Sequence, residues 1–120
     1  MTKSLPAVLS IGLLCHVATA QVNVLTANGG NDRTNANLLE TQLRPGNITS
    51  DAFGKLGAFP VDGQVYGQPL YASGVTVPGR GKLNLLFITT MHNSIYAYDA
   101  DSLAVPSLVW RVNVGSSVPS

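Results

Sequence analysis

Four β-prone runs, each closed by turn residues, follow one another between residues 68 and 114, and this spacing constrains the fold more than any other feature of the chain. Residues 69–77 alternate or run β-branched and end on Pro78, Gly79, Arg80 and Gly81, a turn sequence. Residues 83–90, LNLLFITT, form the longest apolar run and have the pattern of an inner strand buried on both faces. Residues 91–94 turn the chain, residues 95–98 form the next strand, and Asp99, Ala100 and Asp101 end it. After a loop over 102–106, a last strand over 108–114 carries Trp110.

Four antiparallel strands in about 45 residues have the size of one propeller blade, so the expected fold class is all-β: a single four-stranded blade over 68–114 preceded by an irregular lead-in. No second copy of the unit is visible in the sequence. Twelve Gly and seven Pro set among short Val, Leu, Ile and Tyr runs favour strands and turns over a helical bundle. With 45% apolar and 11% charged residues the chain is not a disordered tail, and 120 residues permit one domain at most. Seven basic residues against six acidic ones leave no surplus to neutralise phosphates, which excludes a nucleic-acid partner of the usual basic kind.

The first twenty residues are an address. Lys3 supplies a positive start, residues 5–17 are mainly apolar, and Ala18 and Ala20 are the small residues that a signal peptidase reads. Cleavage is expected between Ala20 and Gln21, giving a secreted or periplasmic protein. A membrane anchor would need roughly 20 apolar residues, and His16 interrupts a shorter stretch. A lipoprotein signal is disfavoured because Leu14, not a small residue, precedes Cys15. Loss of the leader takes Lys3, Cys15 and His16, so the mature chain is formally neutral, has no thiol and keeps His92 as its one histidine. No metal site is expected in it, because a His and Cys zinc site needs at least three such ligands.

Between the leader and the blade, residues 21–67 form a lead-in of short strands and loop. Residues 22–26 are β-prone, residues 27–32 are a Gly and Asn turn cluster, and residues 33–50 are polar. Leu38, Leu39 and Leu43 stand in loose helical spacing, which leaves a helical turn and an irregular loop both open. Residues 53–61, with Gly54 and Gly57 inside an apolar run, read as a bent strand, and Asp62 and Gly63 turn the chain. The last residues, 115–120, read as a tail.

The string LFITTMHNSIYAYDAD over 86–101, followed by Trp110, resembles the repeat of quinoprotein-like β-propellers. That repeat runs as an apolar strand, a polar turn, a strand ending Tyr-Ala-Leu/Phe-Asp, a Thr-Gly turn and a strand bearing Trp. The resemblance implies that Ala97 packs under a neighbouring tryptophan, that Asp99 caps its turn and that Trp110 docks between blades. The chain departs from the pattern over 100–108, which is longer and has Pro106 in place of the glycine; this leaves the docking geometry of Trp110 open. Upstream, NDRTNANLLETQLRPGN over 31–47, FGKL over 53–56 and PVDGQVYGQPLY over 60–71 are similar to the amino-terminal part of exported bacterial pyrrolo-quinoline quinone (PQQ) repeat proteins. The resemblance spans residues 22–114. Its implication is a fragment of a larger propeller, since a blade buries its faces only against neighbours.

Other candidate residues each have two readings. Asp99 and Asp101 form an Asp-x-Asp pair that caps a turn or, with further oxygens, binds Ca²⁺. His92, beside Thr89, Thr90 and Asn93, is a surface turn residue or a ligand or acid-base group. Asp62 and Gln64 are expected at a hairpin corner. The Gly-rich residues 28–31 lack the Lys-Ser/Thr of a phosphate loop, and Asn47-Ile48-Thr49 is a formal glycosylation acceptor that matters only in a eukaryotic secretory pathway. Tyr66, Tyr71, Tyr96 and Tyr98 are strand packing residues or a stacking set for a sugar or quinone.

Two functions follow. The expected one is an exported binding or scaffold module, with further blades of the parent chain as partners, no membrane span in the mature form, no cofactor of its own and no activity of its own. The alternative is a piece of a quinoprotein dehydrogenase, whose full-length parent would oxidise alcohols or sugars with PQQ and Ca²⁺. No catalytic residue carries over, because the family's cofactor ligands are spread over several blades. A third reading is an independent β-sandwich of about six strands.

Overall fold

The computed structural model describes residues 22–116, so the expected leader and its expected cleavage site lie outside the described residues. Among the described residues there is no helix, and the fold is all-β. Four strands, β1 (Leu70–Val77), β2 (Gly81–Thr89), β3 (Ser94–Asp99) and β4 (Ser107–Asn113), form one open antiparallel sheet in the order β1-β2-β3-β4. This meander is consistent with a propeller blade fragment. The strands lie within the segment 68–114 that the turn spacing marks out.

The turns follow from their residues. Pro78 and Gly79 occupy the centre of the β1–β2 turn, with Gly79 at φ +74 and the Arg80 N–H donating to Val77 O at 3.0 Å. A second central residue in the left-handed region is the type II arrangement that selects Pro followed by Gly. Between β2 and β3, Asn93 takes φ 56 and donates its N–H to Thr90 O. Within β1 the register slips between Ala72 and Val75; Gly74 sits there at φ 63, and its N–H is satisfied by Asn84 Oδ1 at 3.0 Å.

The sheet has one covered face. Ile88, Tyr96 and Tyr98 form its buried cluster, with Leu86 beside them and Phe59 and Val61 of the lead-in laid on top. Phe59 and Tyr98 have ring centroids 5.1 Å apart, and Tyr96 and Tyr98 stack at 6.0 Å with planes 5° apart. Burial peaks in β3, where Ser94, Tyr96, Ala97 and Tyr98 are all inside. β2 is an inner strand as its sequence implies, but only Leu85 and Ile88 are fully buried and Thr89 is exposed.

The lead-in departs from expectation. Residues 53–61 form no strand, and residues 22–26 contribute one isolated bridge, Val24 to Tyr71. The reason is that residues 60–62 spend backbone groups on tyrosine hydroxyls: Tyr98 donates to Pro60 O, and Asp62 N–H donates to Tyr96 at 3.1 Å. An apolar run can thus satisfy its backbone from side chains and still cover a core. Gly57 permits the approach, since a Cβ there would lie 2.4 Å from Leu103 O. Leu38, Leu39 and Leu43 form no helix; Leu38 and Leu39 lie in a turn, Leu43 in irregular chain, and all three are exposed, as is every residue from 31 to 56.

Candidate functional site

The densest polar cluster lies where the lead-in crosses the sheet. Its centre is Asp62, placed by the docking of Phe59 and Val61. Asp62 Oδ1 accepts from Thr90 Oγ1 at 2.7 Å, and Oδ2 accepts from Ser94 Oγ and from Arg111 Nη2, each at 2.5 Å. Three strand regions contribute: Thr90 just past β2, Ser94 at the start of β3, and Arg111 in β4, directly opposite Tyr96. Arg111 also lies over the Tyr96 ring, 5.2 Å from its centroid, and donates to Ser94 Oγ at 3.1 Å. Asn113 extends the network, donating to Ser94 Oγ at 3.3 Å and to His92 O at 2.7 Å.

This surrounding holds the Asp62 carboxyl down to about 2, first through the hydrogen bonds from Ser94 and then Thr90; burial opposes them, and the Arg111 charge and the Tyr96 hydroxyl add lesser lowering effects. An ionised carboxylate with its lone pairs so engaged is a poor proton acceptor. Ser94 is no nucleophile either, because it is 0% exposed and its hydroxyl already serves Asp62. The chemistry the cluster performs is attachment: it fastens the lead-in to the sheet.

Ala97, Asp99 and Trp110, the residues of the expected repeat motif, lie on the opposite face. Ala97 is 0% exposed and sits between Phe87 of β2 and Trp110 of β4, its register partners on either side. The Phe87 and Trp110 rings meet at 6.0 Å, tilted 50°, and this small side chain leaves room for the contact. Asp99 closes its turn: Oδ1 accepts from the Asp101 N–H and Oδ2 from Ser102 Oγ, both at 3.1 Å. Trp110 is 41% exposed, and beside it the register slips at Val109.

The remaining candidates are scattered. Asp101 accepts from Asn84 Nδ2 at 2.9 Å, so both carboxylates of the Asp-x-Asp pair take donors from the chain. Among the described residues no three His, Cys, Asp or Glu side chains gather as metal ligands. Among the described residues these donors do not compose a seat for Ca²⁺ or a quinone. His92 is exposed, with its ring against Gly63. The four tyrosines are not brought together: Tyr96 and Tyr98 are core, Tyr71 pairs with Leu86, and Tyr66 is exposed with its hydroxyl on Gln64 Oε1. Asn47 is tied into its own turn through Gln42 O and the Arg44 N–H. A cleft of about 390 Å³ lies between residues 22–24 and 35–39, lined by Val22, Val24, Leu38 and Leu39. Asn23 and Gln68 at its wall direct their side-chain oxygens to Ser73 and Asn28.

Sequence reasoning found Asp62 but not Arg111 or the buried Ser94. The available signal was Arg111 in an otherwise uncharged strand, a charge that needs a partner if the strand packs on anything. Comparison of the chain with family models, curated proteins and solved structures gave no match.

Proposed function

We propose that the chain is an exported blade-and-lead-in unit of a PQQ-repeat-like propeller that serves as a binding or scaffold module and has no activity of its own. The observation that carries this reading is the asymmetry of the sheet. One face is closed by Phe59, Val61 and the Asp62 cluster, while the other presents Trp110 and Val112, 41% and 45% exposed, beside the fully buried Ala97. Exposed aromatic and β-branched side chains on a sheet face are the surface that a neighbouring blade covers.

Two measurements test it. Acrylamide quenching of the single tryptophan is expected to be strong in this chain and several-fold weaker when further blades are supplied in the same polypeptide; equal quenching in both overturns the blade reading. Incubation with PQQ and CaCl₂ followed by gel filtration is expected to leave no quinone absorbance on the protein and no dye-linked oxidation of alcohols or sugars. Retained quinone with turnover would replace the scaffold reading with the dehydrogenase one.

A further inference from the structure

The lead-in is held to the sheet at two places and is free of it between them. At the first, Val24 and Tyr71 exchange backbone hydrogen bonds of 2.8 and 2.9 Å, Asn23 Oδ1 accepts from the N–H and the hydroxyl of Ser73, and the Asn28 N–H donates to Gln68 Oε1. These contacts cover the β1 edge, whereas no strand lies beyond β4 among the described residues. At the second, Gly57 lies against Leu103, Phe59 and Val61 cover the core, and Asp62 binds Arg111. Residues 31–56 connect the two places and are all exposed; among the described residues their backbone hydrogen bonds go to one another or to Asn28 and Gly30. A connection this long without secondary structure is a usual home of function.

Exposed irregular chain is what proteases cut, because a substrate must lie extended in the enzyme's cleft with its main chain free to hydrogen-bond. The basic residues of the described chain differ sharply in this respect. Arg111 is in β4 and bound by Asp62, Lys82 is in β2 opposite Thr76, and Arg80 donates to Leu108 O and Ser107 Oγ. Arg33 takes φ 55 in a turn, its N–H on Gly30 O and the Asn35 N–H on Asn28 O beside it. Arg44 precedes Pro45, whose ring occupies the position after the scissile bond and removes its N–H. Lys55 is exposed in irregular chain: among the described residues, 54–58 make no hydrogen bond, and Gly54 has open space where a Cβ would stand. Leu56, across the bond, is 77% exposed.

We propose that Lys55–Leu56 is a processing site, cut by a protease whose specificity pocket carries a carboxylate for a basic side chain, and that the cut frees the preceding residues from the β1 edge. Water adds its oxygen to the Lys55 carbonyl carbon and the C–N bond to Leu56 breaks. Lys55 then ends as a carboxylate and Leu56 begins as an ammonium group. The release follows from burial. No described residue from 22 to 55 is buried, so once the link is cut that piece is held chiefly by the β1-edge hydrogen bonds, without the effective concentration that the connection supplied. The sheet keeps its covered face, because Phe59, Val61 and Asp62 stay on its side of the cut. This goes beyond the blade reading and does not depend on it.

Trypsin at a low ratio to the full chain tests it, with the fragments identified by mass. The expected first cut past residue 21 is after Lys55, about tenfold or more faster than after Arg33, Arg80, Lys82 or Arg111. Lys55→Gln and Leu56→Pro are each expected to remove that cut without shifting the urea midpoint, since both side chains are exposed. On native gel filtration the piece ending at Lys55 is expected to separate from the rest. The Tyr71 and Ser73 amides should then exchange faster while those of Tyr96 and Tyr98 keep their protection. A first cut at any other position past residue 21, equal rates at all sites, or pieces that stay together on gel filtration would overturn the proposal.

Discussion

Asp62 and Arg111, 49 positions apart in the chain, meet with Oδ2 and Nη2 at 2.5 Å and close the lead-in over the sheet. The pair is partly open to solvent, at 23% and 47% exposure, so its electrostatic part alone is small. Its importance lies in what converges on the same carboxylate, since Thr90 and Ser94 bring the β2–β3 turn to that point.

Replacing Asp62 with Asn is therefore expected to loosen the docking of residues 57–63 more than the sheet itself. Amide exchange followed by mass spectrometry should become faster over 57–66, while the amides of β2 and β3 keep their protection. Unchanged exchange over 57–66 would mean that Phe59 and Val61 hold the lead-in without the carboxylate.

Acid has a defined window of action. The Asp62 carboxyl lies at about 2 in the folded chain against an ordinary 3.8, so its contribution to stability is fully present above 3.8 and is lost as the pH falls through about 2. Denaturation midpoints measured between pH 5 and pH 2 should fall with pH, and the fall should be shallower in Asp62→Asn. Parallel curves for the two proteins would show that other carboxylates carry the effect.

Ala97 leaves no room for growth between the Phe87 and Trp110 rings. Ala97→Leu is expected to destabilise the sheet by about 1–3 kcal/mol through overpacking, read from the urea midpoint. The same variant should change the Trp110 emission maximum, because the ring it displaces is the fluorophore. Full retention of both would place Ala97 outside the tight contact.

Tyr98 gives a milder test of the covered face. Tyr98→Phe keeps the ring against Phe59 and Tyr96 but removes the hydroxyl that donates to Pro60 O. A loss of about 1 kcal/mol is expected. In the wild-type chain, burial pushes the Tyr98 hydroxyl up from its ordinary 10, so spectrophotometric titration should reveal a late-ionising tyrosine that the Phe variant lacks.

Gly57 marks where the lead-in touches the β3–β4 connection. Gly57→Ala would set a Cβ 2.4 Å from Leu103 O, and a loss of about 1–3 kcal/mol is expected from the forced shift. A stability equal to wild type would mean that the connection yields freely.

The strands were legible because each carries a local signal. Pro78 and Gly79 select their turn, Asn93 tolerates the left-handed region, and the apolar run of β2 requires a neighbour on each side. Residues 53–61 misled because apolar content with interior glycine describes a bent strand and a covering segment equally well. What separates them is the Tyr96 and Tyr98 hydroxyls that take up the backbone of residues 60–62, a contact made across more than thirty positions. Asp62 was visible as a polar residue beside a turn, but nothing local pairs it with Arg111 or buries Ser94.

The sequence by itself determined an all-β chain with four strands in antiparallel succession, since turn chemistry and period-two patterning act over a few residues. Only the tertiary structure decided which face of the sheet is closed, which edge stays open and which carboxylate holds the lead-in. Those outcomes depend on hydrogen bonds and packing between residues distant in the chain, and local propensity carries no information about such meetings.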